Sequence, residues 1–286
     1  MRKDIEKILQ FVQKPARYCG GELNSVIKDP KKVALRYAFC FPDLYEIGMS
    51  HLGMKILYSL VNSREDAWCE RVFAPDTDME EQMRENGVKL FALESEDDIK
   101  DFDIIGFTLM YELCYTNMLN MMELAGIKLK SKDRTELTPI IACGGPCACN
   151  PEPIADFVDI VFLGDGEEST MEVLDLLKEC KEKGSSKHEF LLKAKDIRGV
   201  YVPSFYKDSY NEDGTLKNLQ PLYGAPEKVK KAVVSDMDSC FYPDNFIVPF
   251  INIVHDRAVE EIFRGCIRGC RFCQAGFTYR PIREKS

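Results

Sequence analysis

No stretch of this chain approaches the roughly eighteen consecutive apolar residues that a membrane span needs, so a spanning helix is not expected. The amino terminus reads Met1-Arg2-Lys3-Asp4-Ile5-Glu6-Lys7, and no apolar run follows the charged start. A secretory signal is not expected on that ground, which leaves the cytosol as the expected compartment. Basic residues are in deficit, with 38 Lys and Arg against 47 Asp and Glu. A net charge of -9 argues against a chain that coats nucleic acid, since phosphate binding needs a basic face. Histidines are scarce as well, at three in 286 residues.

Cysteine is the residue in surplus, at twelve. In a reducing compartment these thiols are metal ligands or small core residues rather than a disulfide framework. Three of them form Cys266-Ile267-Arg268-Gly269-Cys270-Arg271-Phe272-Cys273, a C-x3-C-x2-C spacing. Three thiolates on one loop can hold three corners of a cubane iron-sulfur cluster and leave the fourth iron open, whereas a closed electron-transfer cluster normally takes four cysteines. An open metal position suits catalysis better than structure. The same spacing is compatible with a zinc site lacking its fourth ligand, for which His255 is the only nearby candidate, and with plain thiols that bind no metal. Gly265 and Gly269 suit a loop wrapped tightly around a ligand. Arg264, Arg268 and Arg271 offer positive charge to an anionic cluster, or form a solvated basic loop.

Hydrophobic patterning describes the rest of the chain. Ile5, Ile8, Leu9 and Val12 mark a short amphipathic helix ending before Pro15. From residue 32, strand and helix alternate: strands over 33–40, 70–73, 88–93, 103–109, 138–143 and 157–163, helices over 49–61, 77–85, 111–125 and about 167–181. The apolar run 103–109 has the character of a central strand buried on both faces. Repeated strand-helix units predict a doubly wound parallel sheet, with ligands beyond the carboxyl ends of its strands. Residues 185–249 look irregular apart from a β-hairpin around Asn211-Glu212-Asp213-Gly214. A strand over 258–263 should lead into the cysteine loop. Cys143, Cys147 and Cys149 form a second trio, which is more simply understood as small side chains in a strand and turn. Asp165, Glu167 and Glu168 read either as paired acids or as charges suited to a helix amino terminus.

With an aromatic residue before its third cysteine, the loop resembles the radical AdoMet (radical SAM) superfamily. The resemblance implies a 4Fe-4S cluster on Cys266, Cys270 and Cys273, S-adenosylmethionine chelated at the open iron with Phe272 against its adenine, and a flavodoxin or ferredoxin as reductant. One electron would then cleave the sulfonium to a 5'-deoxyadenosyl radical, the cofactor carrying the chemistry. The preceding region resembles the flavodoxin-like cobalamin-binding domain that comes before the radical AdoMet core in many enzymes. Asp43-Leu44-Tyr45-Glu46-Ile47-Gly48 stands in place of D-x-H-x-x-G, Thr108-Leu109-Met110 in place of S-x-L, Gly144-Gly145 at the paired glycine, and Gly164-Asp165-Gly166-Glu167 in place of G-E-G-E. That likeness implies Asp43, Tyr45, Gly48, Thr108, Gly144, Gly145, Gly164 and Gly166 as cobalamin-contacting positions. Tyr45 replaces the histidine that would ligate cobalt, so cobalamin is either bound without a protein ligand or has been lost. His51, expected one turn into a helix, is not expected to substitute for it.

The expected organisation is an amino-terminal helix and strap (1–31), a cobalamin-type α/β domain (32–185), a connector with a hairpin (186–250), and the first strand and cluster loop of a radical SAM (β/α) barrel (251–286). Only thirteen residues follow Cys273, and a barrel runs to about 200 residues or more. The chain is therefore expected to be the amino-terminal portion of a longer enzyme, inactive alone and with a loose, unpaired end from about Arg264. The rival expectation is a non-catalytic module that binds a corrinoid or another ligand. The substrate is not legible.

Overall fold

The computed structural model describes residues 1–286. Helix α1 (Lys3–Leu9) buries Ile5, Ile8 and Leu9 against the domain that follows. Strand β1 (Leu35–Phe41) is apolar on both sides: Leu35, Tyr37, Phe39 and Phe41 face one core, Ala38 and Cys40 the other. A strand of that kind is stable only with both faces covered. The short helix α2 (Tyr45–Gly48) and helix α3 (Leu52–Asn62) follow as separate elements. The single helix expected over 49–61 is broken because His51 takes an extended backbone and caps α3, its Nδ1 accepting the Met54 N–H at 3.0 Å.

Strand β2 (Ala67–Phe73) is three residues longer at its start than the pattern predicted, and every residue of it is buried. Helix α4 (Thr77–Asn86) begins at Asp76 and ends at Gly87. Residues 88–93, expected as a strand, are not one. The segment makes single bonds outward, Leu90 N–H to Leu124 O and Leu93 N–H to Arg71 O, and then doubles back through a turn at Glu96. Strand β3 (Ile104–Thr108), helix α5 (Cys114–Leu124), strands β4 (Ile140–Gly144) and β5 (Ile160–Phe162), and helix α6 (Glu167–Lys183) fall where the patterning put them. Helix α6 buries Val173, Leu174, Leu177 and Cys180.

The stretch expected to be irregular contains helix α7 (Lys187–Ala194), started by a reciprocal cap between Ser186 and Glu189, and strand β6 (Val200–Tyr201). Strands β7 (Tyr206–Tyr210) and β8 (Leu216–Pro221) form the expected antiparallel hairpin. Near the end, the expected strand over 258–263 shrinks to β9 (Phe263–Arg264). A four-residue helix α8 (Ala275–Thr278) and strand β10 (Arg283–Glu284) follow.

The sheet runs β2-β1-β3-β4-β5-β6, its first five strands parallel and β6 antiparallel to β5. Helices α1, α4 and α5 cover one face, and α3, α6 and α7 the other. Full burial of each large apolar side chain in these two cores contributes about 1.5–3 kcal/mol. Strand order reverses between β1 and β3, and in open α/β sheets the crevice at the carboxyl ends beside such a reversal is where ligands bind. No helix is long and apolar enough to cross a membrane.

Candidate functional site

At that end of the sheet, on the α3 and α6 side, lies a cavity of about 390 Å³. Its floor is built from Tyr37 and Phe39 of β1, Gly106 and Thr108 of β3, Ala142 of β4 and Phe162 of β5. These positions share one face because side chains alternate along a strand. Gly106 makes room for the Tyr37 ring: a Cβ added there would lie 1.9 Å from the hydroxyl. Leu57 of α3 and Thr170 of α6 form the walls. The arrangement is an apolar slot with a few hydroxyls, the usual character of a small-molecule site.

His51 lines the mouth. Burial pushes its pKa down to about 4, so the imidazole is neutral near pH 7. With Nδ1 accepting the Met54 N–H, the proton sits on Nε2, which then offers a donor and no lone pair. It is unsuited to ligate a metal in this state.

Of the eight positions the cobalamin resemblance pointed to, the cavity gathers five: Thr108, Gly144, Gly145, Gly164 and Gly166. Three lie elsewhere. Tyr45 is 1% exposed, and its hydroxyl donates to Glu22 Oε1 at 2.8 Å. Glu22 is paired with Arg71 through both oxygens at 2.9 and 2.7 Å, and Arg71 Nε donates to Glu94 Oε1 at 2.6 Å. Tyr45 thus completes a buried charge network beside β2. Asp43 caps its own turn through the Leu44 N–H at 2.8 Å and receives the Tyr111 hydroxyl. Gly48 backs onto the rings of Phe73 and Phe41.

The roof comes from the far end of the chain: Glu261, Arg264, Gly265, Tyr279 and Arg283. Arg264, read from sequence as charge for an anionic cluster or as part of a solvated loop, here pairs with Glu167 at 2.5 Å, Glu261 at 2.7 Å and Asp165 at 3.4 Å. Arg283 pairs with Asp165 and donates to Val234 O at 2.9 Å. Neither Asp165 nor Glu167 is therefore a free catalytic acid. Glu167 and Glu168 do occupy the first turn of α6, where the helix dipole favours them. Cys240 lies 3.7 Å from Glu167 Oε1 and 3.8 Å from Arg264 Nη2, and burial raises its pKa to about 11.

Residues 265–282 form a closed loop. Its ends are joined by β9 and β10, with Arg264 opposite Arg283 and Phe263 opposite Glu284. The expected unpaired end is thus paired within the segment and tied to the domain by its arginines. Gly265 has φ 104°, and a Cβ there would stand 2.7 Å from Ile282 Cα and 2.8 Å from two carbonyl oxygens, so only glycine fits this crossing.

On this loop Cys266 is partly covered, beside Arg280, Pro281 and Ile282. Cys270 is exposed, and its carbonyl accepts the Cys273 N–H at 3.1 Å. Phe272 is 94% exposed. None of the three thiols is in a disulfide, so their chemistry fits a three-sulfur ligand set. Their sulfurs are not drawn together, and no group of three His, Cys, Asp or Glu side chains converges on a point that could hold a metal ion. The same holds for the second trio, with Cys143 buried, Cys147 half-buried and Cys149 exposed.

Tyr37, Gly106 and Arg283 were not singled out from sequence. For Tyr37 and Gly106, strand alternation was the available signal once β1 and β3 were known to be neighbours; for Arg283 there was none.

A family model described as "Radical SAM proteins, N-terminal" matches residues 53–203. The chain is also similar to an uncharacterized protein of Methanocaldococcus jannaschii, 28% identical over 259 residues, which is 90% of this chain and 44% of the relative. It thus spans less than half the length of that relative. No solved structure matches. The family match runs from the first turn of α3, along the cavity wall, to the end of β6, more than half of the 286 residues, and on that extent the chain belongs to the radical SAM proteins, in the family of their N-terminal region.

Proposed function

We propose that this chain is the amino-terminal portion of a radical SAM iron-sulfur enzyme, with Cys266, Cys270 and Cys273 as ligands of a 4Fe-4S cluster and Phe272 beside S-adenosylmethionine. The observation that carries the proposal is the C-x3-C-x2-C loop with its aromatic residue, standing in the same chain as a match to the radical SAM N-terminal family. When bound, the cluster supplies one electron for reductive cleavage of S-adenosylmethionine. The chain's own contribution is positional. Gly265 lets the loop cross its own closing segment, β9 and β10 clamp the loop's ends, and of the three thiols Cys270 is exposed while Cys266 and Cys273 are partly covered. A flavodoxin or ferredoxin would deliver the electron, in the cytosol. Reconstitution of the protein with iron and sulfide under anaerobic conditions, followed by EPR of the reduced sample, is expected to give a cubane signal that changes on adding S-adenosylmethionine. Cys270→Ala is expected to lower bound iron at least several-fold; wild-type iron content in that variant would end the proposal.

A second reading is favoured by the cavity. The order β2-β1-β3-β4-β5 is that of flavodoxin-like sheets, and five of the eight positions implied by the cobalamin-domain likeness line the cavity. In this reading, residues 32–185 hold a corrinoid without a protein ligand to cobalt, residues 186–250 connect, and 251–286 begin a (β/α) barrel. Titration with hydroxocobalamin followed by visible absorbance tests it. An unchanged spectrum at protein concentrations above 100 μM removes the corrinoid.

A further inference from the structure

The cysteine loop and the cavity share a boundary, and the way that boundary is held is unlike the rest of the fold. After Ile247 the only buried residue is Gly276, so residues 248–286 have no apolar core of their own. Ile251 and Ile253 still pack against the core beside α3 and α6; beyond them, polar contacts attach the segment to the α/β domain. Arg264 and Arg283 reach Asp165 and Glu167, and Lys231 Nζ donates to Thr278 O at 2.9 Å. The pairs are partly buried, with side-chain exposures of 10–16%. Both acids belong to one short turn. It starts at Gly164, whose φ of 97° and close approach to Ala232 O leave no space for a side chain, and it continues into α6, which forms the cavity wall.

We propose that residues 261–284 are a lid over the cavity, that Asp165 and Glu167 are the positioning residues that latch it, and that a ligand enters or leaves only when the three-cysteine loop swings away. Three observations meet in this. The roof residues come from no other part of the chain. The segment is internally closed by β9 and β10, so it can move as one body. Its anchoring is ionic, so its opening free energy is small compared with unfolding of the sheet, which places it among local opening events. If the cysteines carry a cluster, as proposed above, cavity occupancy and cluster position are coupled through this turn. The latch itself does not depend on that assignment.

The test is peptide-resolved hydrogen exchange on the metal-free full chain, at 50 mM and 1 M salt, for wild type, Glu167→Gln and Arg283→Gln. Exchange in residues 263–284 is expected to rise at least tenfold in both variants and several-fold in high salt. The cavity-wall peptide 163–170 should rise in the same proportion, while residues 104–124 remain protected. Faster exchange of the loop without the wall peptide would overturn the lid, and unchanged exchange of the loop would overturn the latch. Loss of protection in residues 104–124 in both variants would mark these ion pairs as parts of the fold and overturn the proposal as well. Because no metal is present, none of these outcomes bears on whether the cysteines bind iron.

Discussion

Tyr45 shows how far a single side chain's role depends on what lies behind it. In sequence it stands at the histidine position of a ligand motif; in space it is the hydrogen-bond partner of Glu22 in a group of two carboxylates and one guanidinium, Glu22, Glu94 and Arg71. Removing the cation would leave two acids buried without a counter-charge, so Arg71→Ala is expected to cost about 3–5 kcal/mol in urea unfolding. Tyr45→Phe leaves Glu22 still paired and should cost only about 1 kcal/mol, with no effect on any ligand in the cavity. A second residue-scale prediction concerns His51. Burial lowers its pKa from 6.5 to about 4, so the unfolded chain binds the proton more readily than the folded one. The stability involved is fully present above pH 6.5 and is lost as pH falls from 6.5 to 4, at most about 3 kcal/mol. Denaturant midpoints measured across that window should flatten in His51→Asn, which retains a capping oxygen for α3.

Among the helices, α7 is the longest that hydrophobic patterning overlooked. Its eight residues bury Phe190, Leu191 and Ala194, too short a run to give a clear period. The cap was visible, since Ser186 and Glu189 stand three apart, but a capping pair without a long apolar stripe is a weak signal. Ser186→Ala should destabilise the protein by about 1 kcal/mol and Ser186→Asp by much less, read from thermal melts together with exchange of residues 187–194. The opposite failure occurred at 88–93 and 258–263, where strand-like composition found almost no neighbouring strand to pair with. Strand propensity describes fit to a surface that other segments must provide; here 88–93 meets only a single bridge from Phe91 to Asp98, and 258–263 pairs only at Phe263. The long elements β1, β3, β4, α4, α5 and α6 were legible because each carries its own periodicity or its own stop, such as Gly87 after α4.

For the molecule as a whole, the division is between a sheet with two cores and a carboxyl-terminal segment held by charges. Limited trypsin digestion is expected to cut first after Arg268 and Arg271, both exposed on the cysteine loop, before any bond within the sheet or its helices. Mass analysis of the first products checks this, and early cleavage inside 35–201 would contradict it.

The three-cysteine spacing, the α/β alternation and the glycines at strand ends could be read from residues alone, because each is a local pattern whose meaning survives without knowing its neighbours. The cavity could not. It exists because β1 and β3 lie side by side while β2 crosses to the outer edge, so that Tyr37 comes to stand over Gly106. Nor could the ion pairs between Asp165, Glu167, Arg264 and Arg283: they join residues about a hundred positions apart, and charge attraction has no sequence period by which to announce its partner.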